Sequence, residues 1–441
     1  MWRTILKRSL LPVAWLAAVA VLATSCQPVV SDQVGDDGPG SLVRSSKQRN
    51  LSPEVATADL ERQVAGNSRF AFDFYQQMRT LSQGNLFFSP YSISIALAMT
   101  WAGARTTTET QMTEALSLEL GQDRLHQAFN WLDLELNGRG TGAQGMDGQG
   151  FRLNVVNAIW GQQGYAFLPP FLDVLAENYG AGLRLLDFAG APDESRLAIN
   201  DWVEQQTESR IPDLLPPGSI SILTRLVLSN AIYFNAAWKS KFATELTTQA
   251  DFTRLDGQVV QVPMMHQTTS LRYLVADTFA AVELPYDGEE LSMLVLLPDV
   301  FESFDAALDA EGVRAIVDSM ESGEVILSMP RWKFASDSLS LRQLLSALGM
   351  PVAFVDREAD FSGMDGQPYF LFIADVIHKA FVAVNEAGTE SAAATAVIMA
   401  GSGMPQGVEI ALDRPFIYLI RDIPTGAILF VGRVVDPSAE Q

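Results

Sequence analysis

From about Leu60 to the last few residues the chain runs without a break that could serve as a linker, so one core must accommodate almost the whole sequence. The length, 441 residues, would ordinarily divide into two or three domains. The composition, 48% apolar and 19% charged, is that of a globular protein with ample material for such a core. The glycine-rich stretch from Gly138 to Gly150 is too short to separate one domain from another and is expected to be a surface loop. One large domain over 59–438 follows.

The N-terminal region is of another kind. Arg3, Lys7 and Arg8 form a basic head ahead of an uncharged apolar stretch, Leu10 to Ala23. That stretch is short for a bilayer span and suits a secretory signal, placed at residues 1–25. It leads through Leu22-Ala23-Thr24-Ser25 into Cys26, the only cysteine, and resembles a bacterial lipobox. The resemblance implies acylation of Cys26 and membrane attachment through an N-terminal lipid. An ordinary signal peptide with an incidental cysteine is the other reading, and on both the mature protein is exported, to the cell envelope or the extracellular space. One cysteine excludes an internal disulfide, thiol–thiol chemistry and cysteine-rich metal sites. Residues 26–58, rich in Gly, Pro, Ser and Asp and without an aromatic residue, are expected to form a flexible tether.

Ser89-Pro90 is a helix start, with serine as N-cap and proline at the first helical position. Tyr91, Ile95, Met99 and Ala102 continue it at helical spacing up to Gly103. Thr106 followed by Glu109 predicts a capping box for the next helix. Leu226–Phe234, Leu291–Leu297, Phe416–Ile420 and Ile428–Val435 are apolar runs rich in β-branched and aromatic residues. Some are too continuously apolar to own a wet face, which requires sheets covered on both sides. Helices early and strands late make the class α+β.

The sequence is poor in catalytic signals. His126, His266 and His378, the three histidines, stand in unrelated contexts and none has zinc-hydrolase spacing. His126 is expected to be a partly exposed helix residue. No Gly-x-Ser-x-Gly elbow or phosphate-binding Gly-x-x-x-x-Gly-Lys occurs. Gly140, Gly142 and Gly145 match Gly-x-Gly-x-x-Gly but lack the strand before and helix after that a dinucleotide requires. A net charge of −22 repels nucleic acid. The expectation is a protein that is not an enzyme and uses no metal or cofactor.

Several segments, in order along the chain, resemble the serpin family. They are Asn85-Leu86-Phe87-Phe88-Ser89-Pro90-Tyr91-Ser92-Ile93; Leu228-Ser229-Asn230-Ala231-Ile232-Tyr233-Phe234 with Trp238; and Val282-Glu283-Leu284-Pro285-Tyr286 with Leu291-Ser292-Met293 and Leu297-Pro298. Asp360-Phe361-Ser362-Gly363-Met364, Asp413-Arg414-Pro415-Phe416 and Phe430-Val431-Gly432-Arg433-Val434 complete the series. Asn235-Ala236-Ala237 departs from the basic and glycine residues usual before that tryptophan. The resemblance implies three β-sheets, about nine helices and an exposed reactive-centre loop over 386–405 within a single domain.

The stretch from Glu386 through Ala387, Gly388, Thr389, Glu390, Ser391, Ala392, Ala393 and Ala394 to Thr395 has small side chains between its two glutamates, no proline, and Glu390 as its only charge past Glu386. Alone, such a run also fits a helix or a flexible loop. As a strand it would place Thr389, Ser391, Ala393 and Thr395 on one face and Glu390, Ala392, Ala394 and Ala396 on the other. The first face can be buried while the second keeps its charge in water, and alanine's poor β-propensity leaves the segment free to start outside a sheet. By resemblance it is the insertable hinge of an inhibitor.

Counting seventeen residues from Glu386 puts the scissile bond between Ser402 and Gly403, with Met399 and Met404 as rival registers. A small residue there suits elastase-like or subtilisin-like proteases rather than trypsin-like ones. The resemblance further implies a sheet-opening cluster of Ser89, Ser92, Asn230 and His378, with His378 buried and hydrogen-bonded. It implies a gate at Trp238 with an Arg331–Glu386 ion pair. The expected partner is a target serine protease held as a covalent acyl-enzyme by a monomeric inhibitor. A serpin fold that binds or stores without inhibiting is the alternative.

Overall fold

A computed structural model describes residues 38–389 and 407–439. The signal peptide, Cys26, the hinge residues Glu390, Ser391, Ala392, Ala393, Ala394 and Thr395, and Ser402 and Gly403 lie outside the described residues.

The structure is built on the central strand Leu226–Ala237, in which every residue is buried. Side-chain alternation sends Leu226, Leu228, Ile232 and Phe234 into the larger core and Val227 and Ala231 into a second one on the other face. Helix Pro192–Gln206 supplies Ile199 and Val203 to that second core. Both faces of the strand are therefore covered, as its unbroken apolar sequence requires.

The main sheet has eight strands. Along it lie Ser41–Val43, Leu183–Leu186, Arg152–Gln162, Leu226–Ala237, the two-residue strand Gly388–Thr389, Asp375–Asn385 and Trp332–Ala335; Leu339–Ser340 also pairs with Asp375–Asn385. A second hydrogen-bonded network of nine strands contains Phe279–Pro285, Leu291–Pro298, Phe416–Asp422, Ile428–Val434 and Leu86–Phe88. Its strand Val259–Val275 pairs with Thr248–Thr253 and Glu321–Pro330 over much of its length, and with Phe279–Pro285 only at its end. It thereby belongs to two sub-sheets, and with the main sheet these make the three expected. Ten α-helices occur among the described residues, against about nine expected. The fold is α+β within one unit from Pro39 onward.

The helix expected at Ser89-Pro90 spans Pro90–Trp101, and the Ser89 side chain accepts from the Ser92 N–H as cap. All of its residues are buried, so it threads the core rather than floating on it.

Three expectations need correction. The next helix, Thr106–Ala115, has no side-chain cap. Thr106 is its first residue, and its hydroxyl donates to Asp360 (3.1 Å), while Gln122 donates to the Glu109 carboxylate (2.9 Å). Tertiary partners have displaced the local box. His126 is 3% exposed, enclosed by Trp101 and Tyr179, because its face of helix Gln122–Gly138 packs inward.

The tether is the third. Residues 39–56 lie along the folded body. Ser41–Val43 pairs antiparallel with Leu183–Leu185 and covers an edge of the main sheet. Ser45 donates to Asp173 (2.6 Å), Lys47 pairs with Asp173 and Glu177 (3.2 and 2.9 Å), and Arg49 reaches Asn130 and Asp133 (2.8 and 2.6 Å). Backbone pairing and charge hold this segment, and its few apolar residues Val43 and Val55 add packing against the core.

One buried ionic cluster joins the N-terminal helix to the end of the chain. Asp305, with a 2% exposed side chain, accepts from Tyr75, from Arg79 (2.7 Å) and from Arg433 (3.2 Å). Arg433 is itself 3% exposed, and removing the carboxylate would strand its charge. Asp305→Ala is expected to cost about 3 kcal/mol or more, read as a lower urea midpoint.

Candidate functional site

The main sheet is zipped along one stretch and open at one end. Asp375–Ala380 pairs directly and in parallel with Val227–Ile232. Further along, Gly388–Thr389 sits between the same two strands and is antiparallel to both: Thr389 opposes Val384 and Ala236, and Gly388 opposes Asn385 and Ala237. Two residues of the expected hinge thus lie within the sheet.

Residue types explain how it fits. A Cβ on Gly388 would stand 2.1 Å from the Ala236 carbonyl oxygen and 2.7 Å from the Ala237 Cα, so only glycine can approach that closely. Ala236 and Ala237 are the small flank on the central strand. Thr389 turns its side chain inward, 1% exposed, and its hydroxyl meets Tyr286 Oη at 2.8 Å. This is the inward face expected for Thr389. Burial holds the Tyr286 phenol well above its usual range, although the bond to Thr389 acts in the opposite direction, so the hydroxyl stays neutral.

The gate closes over this stub. Trp238, 2% exposed, stacks on Tyr286 with ring centroids 4.7 Å apart. Its indole N–H donates to the Asn385 carbonyl and its backbone N–H to that of Ala387, both at 2.9 Å. Arg331 donates to Glu386 (Nε to Oε1, 2.8 Å), and Thr247 adds a hydroxyl donor. Burial alone would raise the Glu386 pKa; Arg331 and Thr247 outweigh it and hold the carboxyl below its ordinary value. Trp238, Arg331 and Glu386 thus converge as expected. Thr247 and Tyr286 are additions to which sequence reasoning assigned no role.

Beneath the zipped stretch Ser89, Ser92, Asn230 and His378 do meet, all fully buried. The Ser89 N–H can only donate, so the His378 Nε2 it reaches (3.3 Å) is an acceptor. The neutral ring then carries its proton on Nδ1 and donates to Asn230 Oδ1. The Asn230 amide in turn donates to Ser92 Oγ (2.5 Å) and to Asn157 Oδ1. Asn157 completes the network by donating to the Ser92 carbonyl (3.2 Å). It lies directly opposite Asn230 on the neighbouring strand. An asparagine inside the apolar run Val155–Ile159 was the available signal for it.

The network bridges the helix start to the two zipped strands. It is satisfied only with His378 neutral. Burial lowers its pKa to about 3, and that of His126, also by burial, to about 4.

A model of the serpin family, described as serine protease inhibitor, matches residues 65–437. Leukocyte elastase inhibitor of Sus scrofa is 38% identical over 395 residues, covering 86% of this chain and all of that protein. A serpin-like protein of Thermococcus kodakarensis is 40% identical over 373 residues, 83% of this chain and 84% of its own length. Among solved structures, native tengpin, a thermophilic serpin, superposes with a TM-score of 0.78 at 24% identity, over 90% of this chain and 100% of its own. Uncleaved ovalbumin gives 0.74 at 28%, over 85% and 100%. The chain belongs to the serpin family.

Because both buried histidines must stay neutral in the fold but ionise near pH 6.5 when unfolded, their stabilisation is complete above pH 6.5 and declines as pH falls toward 3–4. In that window each contributes a slope of about 1.4 kcal/mol per pH unit. Urea titrations at pH 7, 6 and 5 are expected to show falling stability, and His378→Gln to flatten the slope by about one proton's worth.

Proposed function

We propose that this chain inhibits serine-type endopeptidases as a suicide substrate. The observation that carries the reading is the two-residue stub, Gly388–Thr389, seated between strands that are otherwise zipped together. It is the first step of an insertion that the rest of the loop has the composition to follow.

In the reaction, the protease serine Oγ attacks the carbonyl carbon of Ser402. Its proton passes through the protease's own base to the amine leaving from Gly403. An ester between protease and Ser402 remains, and a new N-terminus is free at Gly403. The catalytic residues are all the target's; this chain supplies bait and driving force. A small residue before the cut bond directs the loop to elastase-like or subtilisin-like pockets.

Once cut, the loop can continue from the stub as a full antiparallel strand. The parallel pairs between Asp375–Ala380 and Val227–Ile232 are replaced by two antiparallel ladders. About fourteen residues at ~3.3 Å each would carry the acylated protease roughly 45 Å. A net gain of about ten ladder bonds at ~1 kcal/mol each releases on the order of 10 kcal/mol. That matches the stability of an ordinary domain and suffices to deform an active site before water can cleave the ester.

The cellular setting in this proposal is export with a lipid on Cys26, and the working form is a monomer. The decisive mixture is this protein with pancreatic elastase or subtilisin, run on a denaturing gel. A band at the summed mass is expected for the parent. Thr389→Arg, which forces a charge onto the buried face beside Tyr286, is expected to give cleaved inhibitor with little complex. Cleavage of the parent without any complex would defeat the proposal in favour of a binding or storage role.

A further inference from the structure

We propose that the glycine-rich segment 138–150 is a clasp on the end of the central strand, and that Asp287 is the positioning residue that closes it and sets how readily a strand enters the seam. The inference rests on the insertion proposed above and adds to it a contact that controls its rate.

A helix precedes this segment and a strand follows it, the reverse of a dinucleotide-binding turn. Its glycines have another use. Helix Gln122–Gly138 runs into the loop, which returns as strand Arg152–Gln162 beside the central strand. On the way the loop lies against the last residues of the central strand. The Met146 N–H donates to Asn235 Oδ1 (2.6 Å), with the two residues 2% and 1% exposed. A Cβ on Gly145 would stand 2.6 Å from the same oxygen and 2.8 Å from the Gly150 carbonyl, so the loop comes this close only with glycine there. The asparagine that interrupts the end of an apolar strand thus has its partner in the loop.

Two residues further along, three hydrogen bonds form a closed ring. The Ala237 N–H donates to the Gln144 carbonyl (3.0 Å), the Gln144 N–H to the Asp287 carboxylate (2.9 Å), and the Asp287 N–H to the Ala237 carbonyl (2.8 Å). Both backbone polar groups of Ala237 are therefore engaged away from the stub, whose Gly388 lies opposite it in the sheet. Asp287 stands in the turn 286–290 between Phe279–Pro285 and Leu291–Pro298, next to the Tyr286 that meets Thr389. The Gly140 N–H donates to the Glu290 carboxylate (2.8 Å) and ties the start of the loop to the same turn.

A strand entering between Val227–Ile232 and Asp375–Ala380 must push the central strand sideways. The ring fastens the end of that strand to a turn of the other sheet network, so the displacement is resisted where entry begins. Gln144 is exposed and Asp287 half-buried, which makes the ring a restraint of modest strength, suited to setting a rate rather than holding the fold.

The test is uptake of a synthetic peptide, Glu390–Ser402 of this chain with a fluorescein at its N-terminus, by the intact protein on native gels. Peptide entry needs no protease and reads opening of the seam alone. Asp287→Ala is expected to take up the peptide about fivefold faster than the parent. Gly145→Ala, which pushes the loop off Asn235 without changing a charge, is expected to act in the same direction. Asp287→Asn keeps an oxygen for the Gln144 N–H and is expected to restore the parent rate. Equal rates in the parent and Asp287→Ala overturn the clasp while leaving insertion intact. An asparagine variant as fast as the alanine one overturns the hydrogen-bonded ring as the restraint. A parent that never takes up the peptide removes insertion and this assignment together.

Discussion

The whole molecule turns on a seam between two parallel strands. Asp375–Ala380 and Val227–Ile232 are hydrogen-bonded neighbours, yet the chain leaving the first doubles back and slips two residues between them. A sheet that can be zipped or wedged with the same backbone has two arrangements. The closed one holds fewer ladder bonds than the chain could make. In the proposed mechanism the closed form is held kinetically: Gly388–Thr389 is paired on one side of the loop and Val408–Ala411, on Glu321–Pro330, on the other, so the insertion proposed above would require a cut between them.

The polar residues around the seam are a set of latches with different strengths. At the gate, Glu386 is held by a partly exposed arginine, a contact that solvent can weaken. Deeper down, His378, Asn230 and Ser92 are fully buried and Asn157 partly so, and opening the strands there breaks several hydrogen bonds in a low dielectric. Under the proposed mechanism, insertion that starts at the stub would meet the weak latch first and the strong one later. The small flanks Ala236 and Ala237 admit Gly388, where any Cβ would collide with them.

Much of this is legible in the sequence. The central strand, the buried helix from Ser89-Pro90 and the inward face of Thr389 have patterns that follow from burial on both faces, helix capping and strand alternation. What the pattern conceals is set by long-range partners. Thr106 and Glu109 satisfy a local capping rule but bond instead to Asp360 and Gln122, residues brought close only by the finished fold. Residues 39–56 have a tether's composition yet are fixed by strand pairing to Leu183–Leu185 and by Arg49. Tyr286 gives no sign of its role in isolation, and Asn157 only the oddity of an asparagine in an apolar run. Asn157 acquires its role from strand register and Tyr286 from the stub that reaches it. Burial of His126 likewise depends on Trp101 and Tyr179, which belong to other helices.

If the uncut protein is held above its lowest free energy by the continuity of one loop, severing that loop must stabilise everything else. Limited digestion between residues 386 and 405 with a trace of subtilisin, stopped by an active-site inhibitor and followed by thermal unfolding, reads this directly. The nicked protein is expected to melt at least about 10 °C above the intact one, consistent with ~10 kcal/mol of added strand pairing. A melting temperature that stays where it was would mean that no such energy is stored.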